Sequence, residues 1–196
     1  ADVIVGGGQT MNPSIEDIVK AVEKANAEHV FVFPNNKNII LATEQAKDIC
    51  NCDIRVIPTK SVQQCISALI MYNPDENIDE NEKQFNEISA RVVYGQITSA
   101  VRDTIIDDVD VHEGDYIALV KNKLKVSGPD IVSVAKEMFA QMISEDSSLV
   151  TIYYGEDTTE ELANALADYV RETYEYIDAE VYNGGQPVYN LLVSVD

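Results

Sequence analysis

Basic residues are scarce in this chain: 14 Lys and Arg stand against 34 Asp and Glu, a formal net charge of −20 over 196 residues. A surface dominated by carboxylates repels phosphate at long range, which argues against nucleic acid and anionic membrane as partners. The charge reads first as a solubility surface, with an interface for a basic partner as the alternative. Cysteine is sparse too. Cys50, Cys52 and Cys65 form an odd set without framework spacing, which fits reduced thiols in a cytoplasmic protein better than disulfides. The two histidines, His29 and His112, are remote in sequence from Cys50-Asn51-Cys52, so no metal site is expected there. There is no run of 18 or more apolar residues and no recognisable signal peptide, so neither membrane insertion nor export is expected. A strand that starts almost at Ala1 suggests a segment of a longer protein.

What is present is an ordinary globular composition, 45% apolar and 24% charged, in a length that suits one large domain or two small ones. The opening stretch sets the plan. Val3-Ile4-Val5 breaks into Gly6-Gly7-Gly8, and after Gln9-Thr10-Met11 a helix begins, capped by Asn12 or Ser14, with Ile15, Ile18, Val19, Val22 and Ala25 along one stripe. His29 to Phe33 is a second apolar run, closed by Pro34 and followed by Asn35-Asn36-Lys37-Asn38 and a helix. Ile54 to Ile57 is a third, closed by Pro58 and followed by Thr59-Lys60-Ser61 and a helix striped by Val62, Cys65, Ile66, Leu69 and Ile70. Strand and helix alternating at this spacing predict a parallel sheet with right-handed crossovers, and place all three loops at its carboxyl edge. Ligands of open α/β sheets bind outside that edge.

The acidic, Pro-broken stretch from Asn73 to Glu82 marks a boundary, giving a parallel α/β subdomain over 1–78 and a mixed-sheet α/β subdomain over 79–196. In the second, strand-like residues run from Val92 to Ile106, and Asp107-Asp108-Val109-Asp110 is turn-like. Tyr116–Val120 and Leu124–Val126 form a hairpin. A helix starts near Pro129 or Asp130, a strand covers Leu149 to Tyr154, and another helix starts at Thr158 or Thr159. Ile177 to Tyr182, a Gly184-Gly185 turn and Val188 to Val195 complete the sheet. The apolar strands at the C-terminus are expected to be exposed, which suggests a homodimer.

Glycines before a helix start present backbone amides to an anion, because the backbone can be approached closely and the helix N-terminus is partly positive. Gly6-Gly7-Gly8 is neither a dinucleotide fingerprint nor a P-loop. In a chain this acidic, however, Lys37 and Lys60 both fall in loops beside it, with Asn35, Asn36, Asn38, Thr59 and Ser61 as neutral donors. That set could hold a carboxylate or phosphate, or form a solvated rim. No catalytic constellation is visible. His29 reads as a satisfied structural histidine and His112 as part of a surface turn. The acidic groups at Asp107-Asp108-Asp110 and Glu156-Asp157 lack the alternation and glycine of an EF-hand loop and read as solvated turns. Met138 and Met142 read as core.

Seven motifs occur in order: Gly7-Gly8-Gln9-Thr10-Met11-Asn12-Pro13-Ser14, Pro34-Asn35-Asn36-Lys37-Asn38-Ile39, Pro58-Thr59-Lys60-Ser61, Gly95-Gln96-Ile97-Thr98, Ala100-Val101-Arg102-Asp103-Thr104, Tyr154-Gly155-Glu156-Asp157 and Gly185-Gln186-Pro187. Together they resemble, over essentially the whole chain, the C-terminal region of the bacterial dihydroxyacetone-kinase-like multidomain proteins, the kinase-bearing subunits of fatty acid kinase. The resemblance implies a DegV-like fold, shared with the fatty-acid-binding subunit of the same enzyme. It also implies a separate N-terminal helical kinase domain that binds ATP and magnesium, and a middle domain. The whole protein would phosphorylate the carboxylate of a fatty acid held by the fatty-acid-binding subunit, for phospholipid synthesis. This segment, which needs no cofactor of its own, would be non-catalytic in isolation and would dock that subunit. The edge made by Gly7, Gly8, Gln9, Thr10, Asn12, Asn35, Asn36, Lys37, Asn38, Thr59 and Lys60 is its candidate ligand- or partner-binding surface. Direct binding of a fatty acid or phosphate at that edge is the alternative.

Overall fold

The run His29-Val30-Phe31-Val32-Phe33 alternates its side chains between two faces, as a strand with a period of two must. In the computed structural model of the chain, which describes residues 1–7 and 12–196, this alternation organises the first of two compact units, Ala1–Arg91. Strand β1 (His29–Val32) pairs in parallel with β2 (Asp53–Val56). Val30 and Val32 pack into a cluster with Ile18, Val22 and Ala46 of helices α1 (Ile15–Ala25) and α2 (Lys37–Lys47). Phe31 and Phe33 pack with Ile57, Ala68 and Phe85, the last two from α3 (Val62–Ile70) and α4 (Ile78–Arg91). The unit is therefore a three-layer α/β sandwich around a small parallel sheet.

The expected strand at Val3 to Val5 is not formed, and Ile4 is 84% exposed. A run whose side chains stay in solvent gains little burial to offset the ordering of its backbone. Helix α4 belongs to this first unit, so the chain divides at 91/92, one helix later than the break expected at 78/79. Three contacts hold α4 there. Phe85 makes edge contacts with Phe31 and Phe33 at centroid distances of 5.0 and 5.4 Å. The Arg55 guanidinium on β2 reaches Glu82 at 2.6 Å and Asp79 at 3.0 Å. The Gln64 amide donates to the Ser89 carbonyl at 2.7 Å.

The second unit, Val92–Asp196, is a six-stranded mixed sheet. Its strands are β3 (Val93–Ser99), β6 (Tyr116–Val120), β7 (Lys123–Gly128), β8 (Leu149–Tyr154), β9 (Asp178–Asn183) and β10 (Tyr189–Val195), in the order β7-β6-β3-β10-β8-β9. Only β8 and β9 run parallel. Helices α5 (Ile131–Met142) and α6 (Glu160–Thr173) cover one face and share a large core with Ile97, Ile152, Leu191 and Val193. The core is tight: a Cβ on Gly95 would lie 2.9 Å from the Met138 sulfur and 2.5 Å from that of Met142. Each helix starts on a side-chain cap, Asp130 accepting from the Ser133 amide and Thr159 from that of Leu162.

The segment from Val92 to Ile106 resolves into β3 and β4 (Thr104–Ile106), and β4 forms a separate hairpin with β5 (Val109–Val111). Its turn places Asp107 and Asp108 at φ of 52° and 63°, the left-handed pair a two-residue hairpin demands, and Lys121 and Asn122 repeat this between β6 and β7 at 50° and 62°. The C-terminal strand is not exposed as expected. Strand β10 lies between β3 and β8 with residues 190–195 all buried; a near-continuous apolar run marks a strand covered on both faces. Of the C-terminal strands expected to be exposed, β10 thus lies inside the sheet, whereas β9 is an edge strand with Tyr182 half-exposed. Among the described residues, no helix is long and apolar enough to cross a membrane.

Candidate functional site

Pro34 and Pro58 end the two parallel strands, and the loops that follow lead directly into α2 and α3. Helix α1 begins beside them: the Asn36 amide donates to Asn12 Oδ1 at 3.5 Å. Three helix N-termini therefore share one edge of the first unit. Each is capped by its own sequence. Ser14 forms a capping box with Asp17, Asn36 accepts from the Asn38 amide at 2.9 Å, and Ser61 accepts from the Gln64 amide at 3.3 Å. The Ser14 hydrogen bonds hold the Asp17 carboxyl below its ordinary range.

Inside the edge the polar groups are committed to one another. Asn35 sits at φ 58°, a left-handed conformation that Asn tolerates. This lets its amide donate to Thr59 Oγ1 at 3.1 Å while its side-chain oxygen accepts the Thr59 hydroxyl at 2.8 Å. Thr59 is fully buried. The Asn35 side chain also bonds the buried Cys65 thiol, whose pKa is nevertheless raised by burial. The Lys60 amide donates to Gln64 Oε1 at 2.8 Å. Of the residues expected to form the edge, Asn35 and Thr59 are thus its internal brace, and Asn36 joins two loops. Gly7, Asn12, Lys37, Asn38 and Lys60 are exposed. Gly8, Gln9 and Thr10 lie outside the described residues.

Two of the three helix N-termini at this edge lack acids: neither α2 nor α3 has an acidic residue in its first turn, as is also true of α5, whereas α1, at the same edge, carries Glu16 and Asp17, and α4 and α6 carry two each. Lys37 is the first residue of α2, where a cation opposes the helix dipole. From Phe33 to Ser67 the acids are confined to α2 and the turn around β2, leaving both loops acid-free. In a protein of net charge −20, this is a local surface that can accept an anionic group.

His29 is a satisfied histidine, as expected, but on the surface. It is exposed at the start of β1, and its Nδ1 lies 3.1 Å from Asp53 Oδ2. The same carboxyl takes the Arg55 guanidinium at 2.9 Å, which is the main reason its pKa is lowered. His112 is exposed, 4.0 Å from Asp103, as a surface turn requires. Among the described residues no group of three or more His, Cys, Asp or Glu is arranged to hold a metal ion.

In the second unit the motif residues gather at one end of the sheet, a convergence set by long-range register. The amides of Gly184 and Gly185 both donate to the Tyr154 carbonyl, at 3.0 and 3.2 Å, and the Glu156 amide donates to the Gln186 carbonyl at 3.1 Å. Gln186 Nε2 donates to the carbonyls of Tyr153 and Tyr189, at 3.0 and 3.3 Å. A Cβ on Gly155 would lie 2.6 Å from the Gln186 carbonyl and closer still to that of Tyr189. The two glycine motifs here are locks between loops, and their amides are occupied. A shallow depression of 510 Å³ beside the β4–β5 turn is lined by Asp107, Asp108, Val109, Lys123, Leu124, Lys125 and Gln141, a mostly charged wall unsuited to an acyl chain.

Residues 1–196 match the FakA-like C-terminal family model, which describes the C-terminal region of one type of fatty acid kinase subunit. Protein YloV of Bacillus subtilis (strain 168) is 43% identical over 196 residues, 100% of this chain and 35% of YloV. An uncharacterized protein of Staphylococcus aureus (strain N315) is 39% identical over 193 residues, 98% of this chain and 35% of that protein. The chain thus spans about a third of the length of the curated relatives it matches. Among solved structures, the Streptococcus pneumoniae fatty acid kinase (Fak) B3 protein loaded with linoleic acid is similar at a TM-score of 0.67 and 11% identity, over 94% of this chain and 76% of that one. A fatty-acid-binding DegV family protein of Thermus thermophilus matches at 0.63 and 10% identity, over 94% and 78% of the two chains. At these identities the likeness is one of fold.

Proposed function

The chain belongs to the FakA-like C-terminal family of fatty acid kinase and has a DegV-like fold, and from that premise we propose that it is the docking domain of a fatty acid kinase. In this reading it is non-catalytic by itself. It holds the fatty-acid-binding subunit so that a separate kinase domain with ATP and magnesium phosphorylates the acyl carboxylate, the entry step to phospholipid synthesis in the cytoplasm. The observation that carries the reading is the pair of braced, acid-free loops that follow β1 and β2 in the first unit. Asn35 and Thr59 hold the loops rigid, so Lys37 and Lys60 are presented on a preorganised surface. Preorganisation lowers the entropic cost of binding a protein partner.

Calorimetric titration of the 196-residue chain with the fatty-acid-binding subunit, loaded with a fatty acid, tests this. Saturable binding is expected, weakened in the double variant Lys37→Ala with Lys60→Ala. No binding overturns the docking role. A second reading has the same edge bind a small anion, a fatty acid carboxylate or a phosphate, because two ammonium groups stand beside capped helix N-termini. A thermal-shift series with fatty acids, acyl phosphate and inorganic phosphate separates the two, since a ligand at 100 times its Kd stabilises the native state by about 2.7 kcal/mol.

A further inference from the structure

The docking role leaves the thiols of the first unit unused, and two of them are neighbours. Cys50 ends the turn after α2, its amide donating to the Ala46 carbonyl at 3.1 Å. Cys52 precedes β2, whose first amide, that of Asp53, donates to the Glu28 carbonyl at 3.0 Å. The chain between them is thus held at both ends, and it bends at Asn51 and Cys52. Residues two apart are about 7 Å from one another in a fully extended chain. A bend shortens this into the range of about 4.4–6.8 Å between Cα atoms that a disulfide requires. Both side chains also turn to the same side, each packing on the cluster of Ile18, Val22, Ala46, Ile54 and Val56. Both are only partly covered, whereas Cys65 is buried.

We infer that Cys50 and Cys52 form a reversible redox pair, closed to an intrachain disulfide by a low-molecular-weight disulfide and reopened by thiols. Their surroundings set the order of steps. Burial, then the negative charges of Cys52 and Glu23, push the Cys50 thiol up, so Cys52 attacks first. Its thiolate sulfur bonds to one sulfur of the small disulfide, and the other half leaves and takes up the proton that Cys52 lost. Cys52 is now a neutral mixed disulfide, and its charge no longer opposes ionisation of Cys50. The Cys50 thiolate then attacks the Cys52 sulfur and expels the second thiol, protonated in turn. Two protein thiols are oxidised and one small disulfide is reduced to two thiols. Asp48 and Asp53 flank the pair in sequence, and Glu23 acts on Cys50, so an uncharged disulfide is favoured over an anionic one. A bridge between residues two apart closes a small, strained ring, and strained disulfides are the labile, regulatory ones.

The test incubates the folded 196-residue chain with hydroxyethyl disulfide, blocks the remaining thiols with iodoacetamide in denaturant, and reads the tryptic peptides by mass spectrometry. The peptide Asp48–Arg55 holds both residues and excludes Cys65. It is expected to be lighter by two hydrogens and unalkylated, and to regain two alkylatable thiols after dithiothreitol, with Cys65 alkylated in every sample. Cys50→Ser is expected to stop at a mixed disulfide on Cys52, formed about threefold or more faster than Cys52→Ser forms one on Cys50. In the wild type, two alkylated cysteines in that peptide, lasting mixed disulfides on both, or a bridge to Cys65 or to a second chain overturns the pair. If the wild type closes the bridge but the two variants react in the reverse order, the roles of attacking and resolving thiol are overturned.

Discussion

The two units end their sheets in opposite ways. In the first, two short parallel strands lead into loops without acids, braced from within by Asn35 and Thr59, with lysines outward. In the second, a six-stranded sheet has the loop after β8 locked to the loop between β9 and β10 through Gly155, Gly184 and Gln186, and Val101 and Val188 are exposed at the same end. Motifs that look alike in sequence, glycine or asparagine after a strand, therefore do different work. The difference teaches that a glycine-rich loop is informative only when the fate of its amides is known: those of the second unit are occupied by backbone carbonyls, which makes the motif structural.

The units also differ in how much core stands behind each surface, and the largest expected effect exploits that. Phe85 is almost fully buried and ties α4 to both phenylalanines of the β1 run. Phe85→Ala is expected to cost about 3–5 kcal/mol, the usual range for a buried phenylalanine. Among the described residues the first unit has three-residue and five-residue buried clusters, against one of twenty residues in the second, so the loss should be local. Native-state hydrogen exchange is expected to show protection falling in β1, β2 and α3 while β10 keeps its own. Equal loss in β10 would show that the units unfold as one.

Much of this architecture is legible in sequence, for identifiable reasons. Strand β8, α5 and α6 carry local signals: a β-branched and aromatic run, then caps at Asp130 and Thr159. The position of β10 is not local information. Its pairing with β3 and β8 spans most of the second unit, and the only clue is that Leu191 to Val195 hardly alternates, which marks burial on both faces rather than exposure. The failed strand at Val3 to Val5 shows the converse, an apolar run that pairs with no strand among the described residues. At the candidate edge, the scarcity of acids and the two lysines are visible in the sequence. The Asn35–Thr59 brace is not, because it depends on a left-handed backbone at Asn35.

A smaller effect sharpens the contrast between the glycine motifs. At Gly155 a methyl group meets backbone carbonyls of Gln186 and Tyr189, which cannot rotate away, whereas at Gly6 it meets nothing within 4 Å among the described residues. Gly155→Ala is expected to destabilise by about 1–3 kcal/mol, as overpacking does. Gly6→Ala should fall within about 0.5 kcal/mol of wild type, as surface changes do. Urea denaturation checks both. Equal effects would mean that the first glycine run is as structural as the second.

The smallest effect is a difference in alkaline sensitivity. Tyr153, on β8, is stacked on Tyr182 at 5.9 Å, and its phenol is pushed up from 10.0 to about 12, first by burial and then by the negative charge of Asp196. In the first unit the Cys65 thiol is raised above 9.0, again chiefly by burial. Both groups are neutral in the native state and ionise more readily when unfolded, so each contributes stability that is complete below its unfolded pKa and declines above it. The decline begins near pH 9 for Cys65 and near pH 10 for Tyr153, continuing to about pH 12 for the latter. Hydrogen exchange, corrected for its intrinsic pH dependence, should therefore show α3 losing protection before β8 as pH rises. Cys65→Ala should flatten the first decline and Tyr153→Phe the second. If β8 opens first, the larger core does not confer the greater resistance, and the contrast between the two units is one of surface alone.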